Sequence, residues 1–220
     1  MMSNLLKRTI SGTVFLAVMI AGLTVNRYVF TALVLFMAAG MLVEFYRQER
    51  GTVLRHVGTL YIAFSEVILY LSAFAGGSFS GKLPLCFFIM IWSSDVGAYC
   101  IGSTLGKKLC SRKLAPKISP AKTWTGFWGG MLFCMAAAAI LQLCAVITFP
   151  MVHALVLGAL VHCAGVAGDL LESAWKRHCG IKDSGNLIPG HGGLLDRFDS
   201  SLLAVPVGVL YLAIFHLICL

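Results

Sequence analysis

Between Ser173 and Ser200 the chain reads SAWKRHCGIKDSGNLIPGHGGLLDRFDS, setting four basic residues, three aspartates, two histidines and five glycines side by side. Among apolar, membrane-length segments, polar groups cost on the order of several kcal/mol each unless they are paired or bind something. So dense a cluster calls for a charged ligand or a metal. If residues 151–178 form one helix, Asp169, Ser173 and Lys176 fall at i, i+4 and i+7 and share a face. A turn around Lys182-Asp183-Ser184-Gly185 follows. Pro189-Gly190-His191-Gly192-Gly193 then supplies flexible backbone ahead of another helix start, on which Asp196, Asp199 and Ser200 lie at i, i+3 and i+4. Carboxylates projecting from two neighbouring helices toward a basic, glycine-rich loop suit magnesium, a hard cation that takes oxygen ligands and bridges to substrate phosphates. The competing reading makes these acids salt-bridge partners of Lys176, Arg177 and Arg197. It is strongest for Asp183 and Asp199 and weaker for Asp169, at the edge of the apolar run in AGVAGDLLES. His191, between glycines, is expected to face a ligand, and His178 to be an ordinary surface residue.

A second polar loop, IGSTLGKKLCSRKLAPKISPAKTWTGFWGG, carries six basic residues and no acidic one between Gly102 and Trp124. Its end, Ser119-Pro120-Ala121-Lys122-Thr123, reads as a helix start with Ser119 as N-cap and Pro120 in the first helical position. Free backbone N–H groups beside Lys122 would then favour anionic oxygens; the plainer alternative is a capped membrane helix with a snorkelling lysine. In Trp92-Ser93-Ser94-Asp95-Val96-Gly97-Ala98-Tyr99 a carboxylate lies within membrane depth, which marks Asp95 as a functional candidate. Glu66 is a weaker one, having no polar company.

These residues must be positioned by membrane helices. Of 220 residues, 59% are hydrophobic and 12% charged, whereas a soluble domain is about one quarter charged. Seven segments approach the ~20 apolar residues needed to cross a bilayer: 10–26, 28–46, 57–75, 84–102, 125–149, 151–171 and 201–220. Asn26 and Arg27 alone separate the first two, predicting a tight hairpin. The first could instead be a cleaved signal peptide, but its apolar run passes almost directly into the next, favouring a retained helix. The fold class expected is an all-α, polytopic helix bundle of one membrane domain (1–220), with hydrophobic N-terminal helices over 1–83 and a catalytic part over 84–220. With the N-terminus inside, segments 1–9, 47–56, 103–124 and 172–200 are internal and hold 15 of the 17 basic residues, leaving Arg27 and Lys82 outside. This is the positive-inside pattern, so the net charge of +8 speaks for anionic headgroups rather than nucleic acid. The eight cysteines form no CxxC pair and sit mostly in apolar stretches, predicting neither zinc site nor disulfide framework.

The long motif resembles that of the phosphatidate cytidylyltransferases (CDP-diacylglycerol synthases): Ser-x-x-Lys-Arg, Lys-Asp-x-Gly, Pro-Gly-His-Gly-Gly, then Asp-Arg-x-Asp. SSDVGAY, SPAKTWTGFWGG and AGDLLES match the same family in the same order, so the resemblance is direct over about 92–201. The chain is short for the family, and Thr125 stands near a position where many members carry an acid. The resemblance implies that CTP and phosphatidate give CDP-diacylglycerol and pyrophosphate, with magnesium. It implies that Asp169 and Asp196 hold the metal, and that Lys122, Lys176, Arg177 and the His191 loop bind the triphosphate or lipid phosphate. Ser119, Thr123, Ser173, Lys182, Asp183, Gly192, Gly193, Arg197 and Asp95 are the further substrate-binding candidates. The expected partners are CTP, phosphatidate and membrane lipids, with no nucleic acid and a homodimer left open. The expected place is a bacterial inner membrane, with the active site on the cytoplasmic face.

The attacking phosphate oxygen is already ionised at neutral pH. Catalysis would therefore be mostly positioning and charge neutralisation. Two other classes are weighed against this. A transporter could use Glu66, Asp95 and Asp169 as an ion path but has no need of the basic, glycine-rich loop. A CDP-alcohol phosphotransferase would show Asp-Gly…Ala-Arg…Gly-x-x-x-Asp-x-x-x-Asp, which the chain lacks. A lipid kinase using CTP is nearer chemically and would release CDP.

Overall fold

Asn26 decides the first turn. In a computed structural model, which describes residues 4–106, 112–187 and 192–219, its side chain accepts hydrogen bonds from the N–H groups of Tyr28 and Val29 at 2.9 and 3.0 Å. That caps the second helix and folds it back on the first. The order among the described residues is α1 (Asn4–Thr24), α2 (Arg27–Gln48), α3 (Thr52–Ser72), α4 (Lys82–Thr104), β1 (Lys113–Ala115), β2 (Ser119–Thr123), α5 (Trp124–Leu143), α6 (Met151–His178), α7 (Leu195–Phe198) and α8 (Ser201–Ile214).

Among the described residues the fold is all-α apart from one small hairpin. Six helical spans among them are long and apolar enough to cross a membrane: α2, α3, α4, α5, α6 and the α7–α8 run Leu195–Ile214; α1 adds the shorter apolar stretch Thr9–Thr24. Side chains such as Leu60, Leu132 and Val152 point outward and exposed, as lipid-facing residues do. Inside, Phe30, Phe87, Phe88, Phe198 and Leu212 are fully buried. The chain is a helical membrane protein.

The most extensive helix contact is between α4 and α5, and α6 packs on both α5 and α8. Small residues permit this closeness, as is usual where apolar lipid removes the hydrophobic drive between helices. A Cβ on Gly129 would stand 2.4 Å from Cβ of Ile101, and one on Gly168 would stand 2.5 Å from the Asp199 carbonyl. The second approach brings the N-terminal end of α8 against the polar end of α6.

The helix start expected at Ser119-Pro120 is not there. Ser119–Thr123 is a strand paired antiparallel with β1, with Lys113 opposite Thr123 and Ala115 opposite Ser119. Helix α5 begins at Trp124, and Thr123 is its N-cap, accepting from Gly126 N–H at 3.1 Å. Both Ser119 and Thr123 can cap. Pairing with β1 satisfies the backbone of the intervening residues, and Pro120, lacking an N–H, is tolerated in so short an edge strand. Two apolar segments also stop early. α5 ends at Leu143 rather than 149, where Ala145 turns at φ 55°, and α8 ends at Ile214, before His216 at φ 52°. α3 begins at Thr52, five residues ahead of the apolar segment.

Candidate functional site

Three of the four segments assigned to the inside, 47–56, 103–124 and 172–200, meet at one end of the bundle. Trp175 Nε1 of α6 donates to Glu49 Oε2 at 3.0 Å, and Arg177 Nε reaches the Ile118 carbonyl at 3.4 Å. Lys122 forms an ion pair with Asp169. Arg177 also donates to the Ile181 carbonyl at 3.2 Å, so it ties the two polar loops together.

Around the Lys122–Asp169 pair, α4, β2, α5 and α6 enclose a cavity of about 400 Å³, lined by Asp95, Lys122, Thr123 and Asp169 with the buried Ser94–His162 pair. Ser94 Oγ and His162 Nδ1 are 2.8 Å apart. Ser173 Oγ donates to Asp169 Oδ1 at 3.2 Å, as the shared helix face predicts. Asp95, Asp169 and Asp199 are within electrostatic reach of one another and of Lys122, and Arg197 is close enough to act on Asp95. Three carboxylates thus lie within electrostatic reach of one lysine, with Arg197 acting on Asp95. Among the described residues no three His, Cys, Asp or Glu side chains form a ready-made metal site. Asp95 and Asp169, which line the cavity, are oxygen donors of the kind magnesium takes, one or two at a time alongside waters and phosphates.

Asp196 is held differently. Its Oδ1 accepts from Lys176 Nζ at 2.7 Å, and its Oδ2 accepts from the N–H groups of Ser184 at 2.9 Å and Gly193 at 2.8 Å. Lys176 is also 2.5 Å from Glu172 Oε2. Both oxygens of Asp196 are therefore committed inside the loop, while Asp169 keeps 30% of its side chain exposed. Gly192, at φ +84°, adopts the left-handed backbone that glycine permits, and this turns the chain so that Gly193 can donate to Asp196.

Lys182 and Asp183 lie in an exposed turn, Arg197 is exposed on α7, and Ser119 stands at the start of β2, apart from the Lys122–Thr123 stretch that lines the cavity. His191 lies outside the described residues. Two acids of the N-terminal part were missed. Glu44 accepts from Ser184 Oγ at 3.0 Å and from Leu194 and Leu195 N–H at 2.9 Å. Glu49, just past α2, accepts from Gly51 N–H at 2.7 Å as well as from Trp175. Burial works to raise the Glu49 pKa, but these two N–H groups, His178 and Arg50 outweigh it and hold the group below its ordinary value. A signal was available for Glu44: an acid in an apolar run, the same feature that marked Asp95.

On the other side of α6 lies an apolar cavity of about 350 Å³, lined by Phe45, Leu54, Val57, Leu171 and Trp175, with Glu172 and Asp199 in its wall. Gly168 and Asp199 bound this cavity, and Asp169, next in sequence, bounds the polar one. A cavity with charged lining and an apolar one thus lie on neighbouring residues of α6.

Residues 48–215 match the model of the cytidylyltransferase family, which is three quarters of the chain. The chain belongs to that family. It is 33% identical over 215 residues to the phosphatidate cytidylyltransferase of Rickettsia bellii, covering 93% of this chain and 89% of that one. The enzyme of the same name from Bacillus subtilis is 49% identical over 127 residues, 58% of this chain and 46% of that protein. For the one from Pseudomonas aeruginosa the identity is 44% over 126 residues, 57% and 45%. The matched span is thus less than half of the latter two relatives.

Proposed function

We propose that the chain transfers the cytidylyl group of CTP to phosphatidate, giving CDP-diacylglycerol and pyrophosphate. The observation that carries this reading is the abutting pair of cavities: one polar with the Lys122–Asp169 pair, the other apolar and bounded by Asp199. A reaction between a water-soluble nucleotide and an amphiphile needs both spaces to meet at the reacting phosphates.

In this reading CTP occupies the polar side and the acyl chains lie along the apolar side. An oxygen of the lipid phosphate attacks the α-phosphorus of CTP; the new P–O bond forms as the bond to the β-phosphate oxygen breaks, and pyrophosphate leaves. The attacking oxygen needs no proton removed, so the protein's work is alignment and charge neutralisation. Lys122 and Arg177 would bind phosphate oxygens, with Lys182, Arg197 and His191 as further candidates. Lys176 orders the loop through Asp196. Magnesium, bound to the phosphates, would offset the charge developing on the leaving pyrophosphate. Asp169 and Asp199 are its best-placed carboxylates, in preference to Asp196, whose oxygens are already occupied. The positive-inside bias supports an orientation with this end of the bundle at the cytoplasmic face of a bacterial inner membrane, where CTP is found. Cysteine introduced at the exposed Asp183 should then resist membrane-impermeant reagents in intact cells, and labelling from outside would reverse the orientation.

The reaction is tested with purified protein, magnesium, phosphatidate and CTP labelled in its α-phosphate. Label recovered in a lipid together with one pyrophosphate per turnover is expected. Release of CDP would make the protein a lipid kinase instead.

A further inference from the structure

Glu44 is a carboxylate of α2 with only 6% of its surface exposed. Its bonding partners all come from one loop. Oε2 accepts from Ser184 Oγ at 3.0 Å and Leu195 N–H at 2.9 Å, and Oε1 accepts from Leu194 N–H at 2.9 Å. No lysine or arginine forms an ion pair with it among the described residues. A buried charge without a cation is tolerated only when hydrogen bonds replace its hydration. Donors on both oxygens mean that an amide could not substitute, since one of its two termini would itself be a donor.

The loop is shaped to this carboxylate. A Cβ on Gly185 would stand 2.5 Å from Glu44 Oε1, and one on Gly193 would stand 2.5 Å from Oε2 and 2.2 Å from Ser184 Oγ. Both glycines are required by the approach of Glu44. From the other side, Asp196 Oδ2 accepts from the N–H groups of Ser184 and Gly193, and its Oδ1 holds Lys176. Glu44 and Asp196 thus grip the same turn between them, and the grip ends on the Lys176 ammonium.

We propose that Glu44 is a positioning residue for nucleotide binding: it fixes Ser184, Leu194 and Leu195 so that Asp196 and Lys176 hold the geometry that receives the CTP triphosphate. It does so from α2, outside the residues 48–215 that carry the family match. The inference rests on the cytidylyl-transfer reading.

The test compares wild type with Glu44→Gln, which keeps shape and volume and removes the charge. KM is measured for CTP and for phosphatidate separately, along with the shift in melting temperature that CTP alone produces. Loss of one or two charge-assisted bonds predicts a rise in KM for CTP of about tenfold or more and a smaller CTP-induced shift. The KM for phosphatidate should stay unchanged. Ser184→Ala, which removes one donor and keeps the carboxylate, should move the CTP KM the same way by about two- to threefold. A folded Glu44→Gln with wild-type KM for CTP would overturn the proposal. So would a loss of activity that only tracks the loss of folded protein and leaves both KM values untouched. If Glu44→Gln does not fold, Ser184→Ala decides by the same criterion. Should wild type fail to transfer a cytidylyl group at all, the reaction reading falls. The CTP-induced melting shift, which needs no turnover, then still decides whether Glu44 serves nucleotide binding.

Discussion

Asp169, in AGDLLES, and Asp196, in the motif that follows it, carry the same side chain, yet their surroundings are opposite. Asp196 has both oxygens filled by a lysine and two backbone N–H groups, and the turn that supplies them is held from behind by Glu44. Asp169 faces a cavity, keeps 30% of its side chain exposed, and has a serine and Lys122 for company. The lesson is that a carboxylate available to chemistry is one whose hydrogen-bonding capacity has been left open, because a fully satisfied one must give up good partners before it can bind a ligand. On the proposed reading Asp196 builds the site, and Asp169 is offered to the substrate.

The sharpest way to break this contrast is to remove one charge at a time. Asp169→Asn should lower turnover on the order of a hundred- to a thousandfold while leaving the melting temperature in detergent near that of wild type. Asp196→Asn should also lose activity, but it should lose about 3 kcal/mol of stability with it, because the amide keeps one acceptor oxygen for three donors and turns its own N–H toward Lys176 or the two backbone N–H groups. Equal melting temperatures for the two variants, read by thermal unfolding in parallel with rate assays, would erase the distinction. Gly193→Ala comes next. Its Cβ has no room beside Glu44 and Ser184, so activity should fall, and Glu44→Ala in the same chain should add much less than its effect alone, the mark of residues in direct contact.

The smallest effect is expected at Glu49, which secures Trp175 rather than the reacting groups. Its folded pKa is depressed, so its stabilising contribution is fully present above the ordinary glutamate value and is lost as pH falls through the lower folded one. Glu49→Gln should therefore be less stable than wild type at neutral pH, and the gap should close in acid. A constant gap across that range, measured by thermal unfolding, would separate the effect from the carboxylate's charge.

The helices were legible because bilayer-spanning segments announce themselves by length and apolar content, and Asn26 marked the first hairpin. The partnership of Asp169 with Ser173 followed from helical spacing alone. What the sequence could not carry was contact across long separations. Glu44 meets Ser184 and Leu194 through the tertiary packing of α2, and no local pattern connects residues so far apart. The misplaced helix start has a local cause: Ser119 and Thr123 are both competent caps, and only the pairing of β2 with β1 selects between them. Asp199 was legible as a candidate but read as a salt-bridge partner, because the close approach of α6 to α8 at Gly168, which turns it toward Asp169, is a matter of packing.

The most direct test is a mass balance on one reaction. Wild-type protein and Asp169→Asn are each incubated with phosphatidate, magnesium and CTP labelled in the α-phosphate. The account predicts that wild type moves the label into a lipid and releases an equal amount of pyrophosphate, and that Asp169→Asn does neither to a comparable extent. Label remaining in free CDP, or full activity in Asp169→Asn, would contradict it.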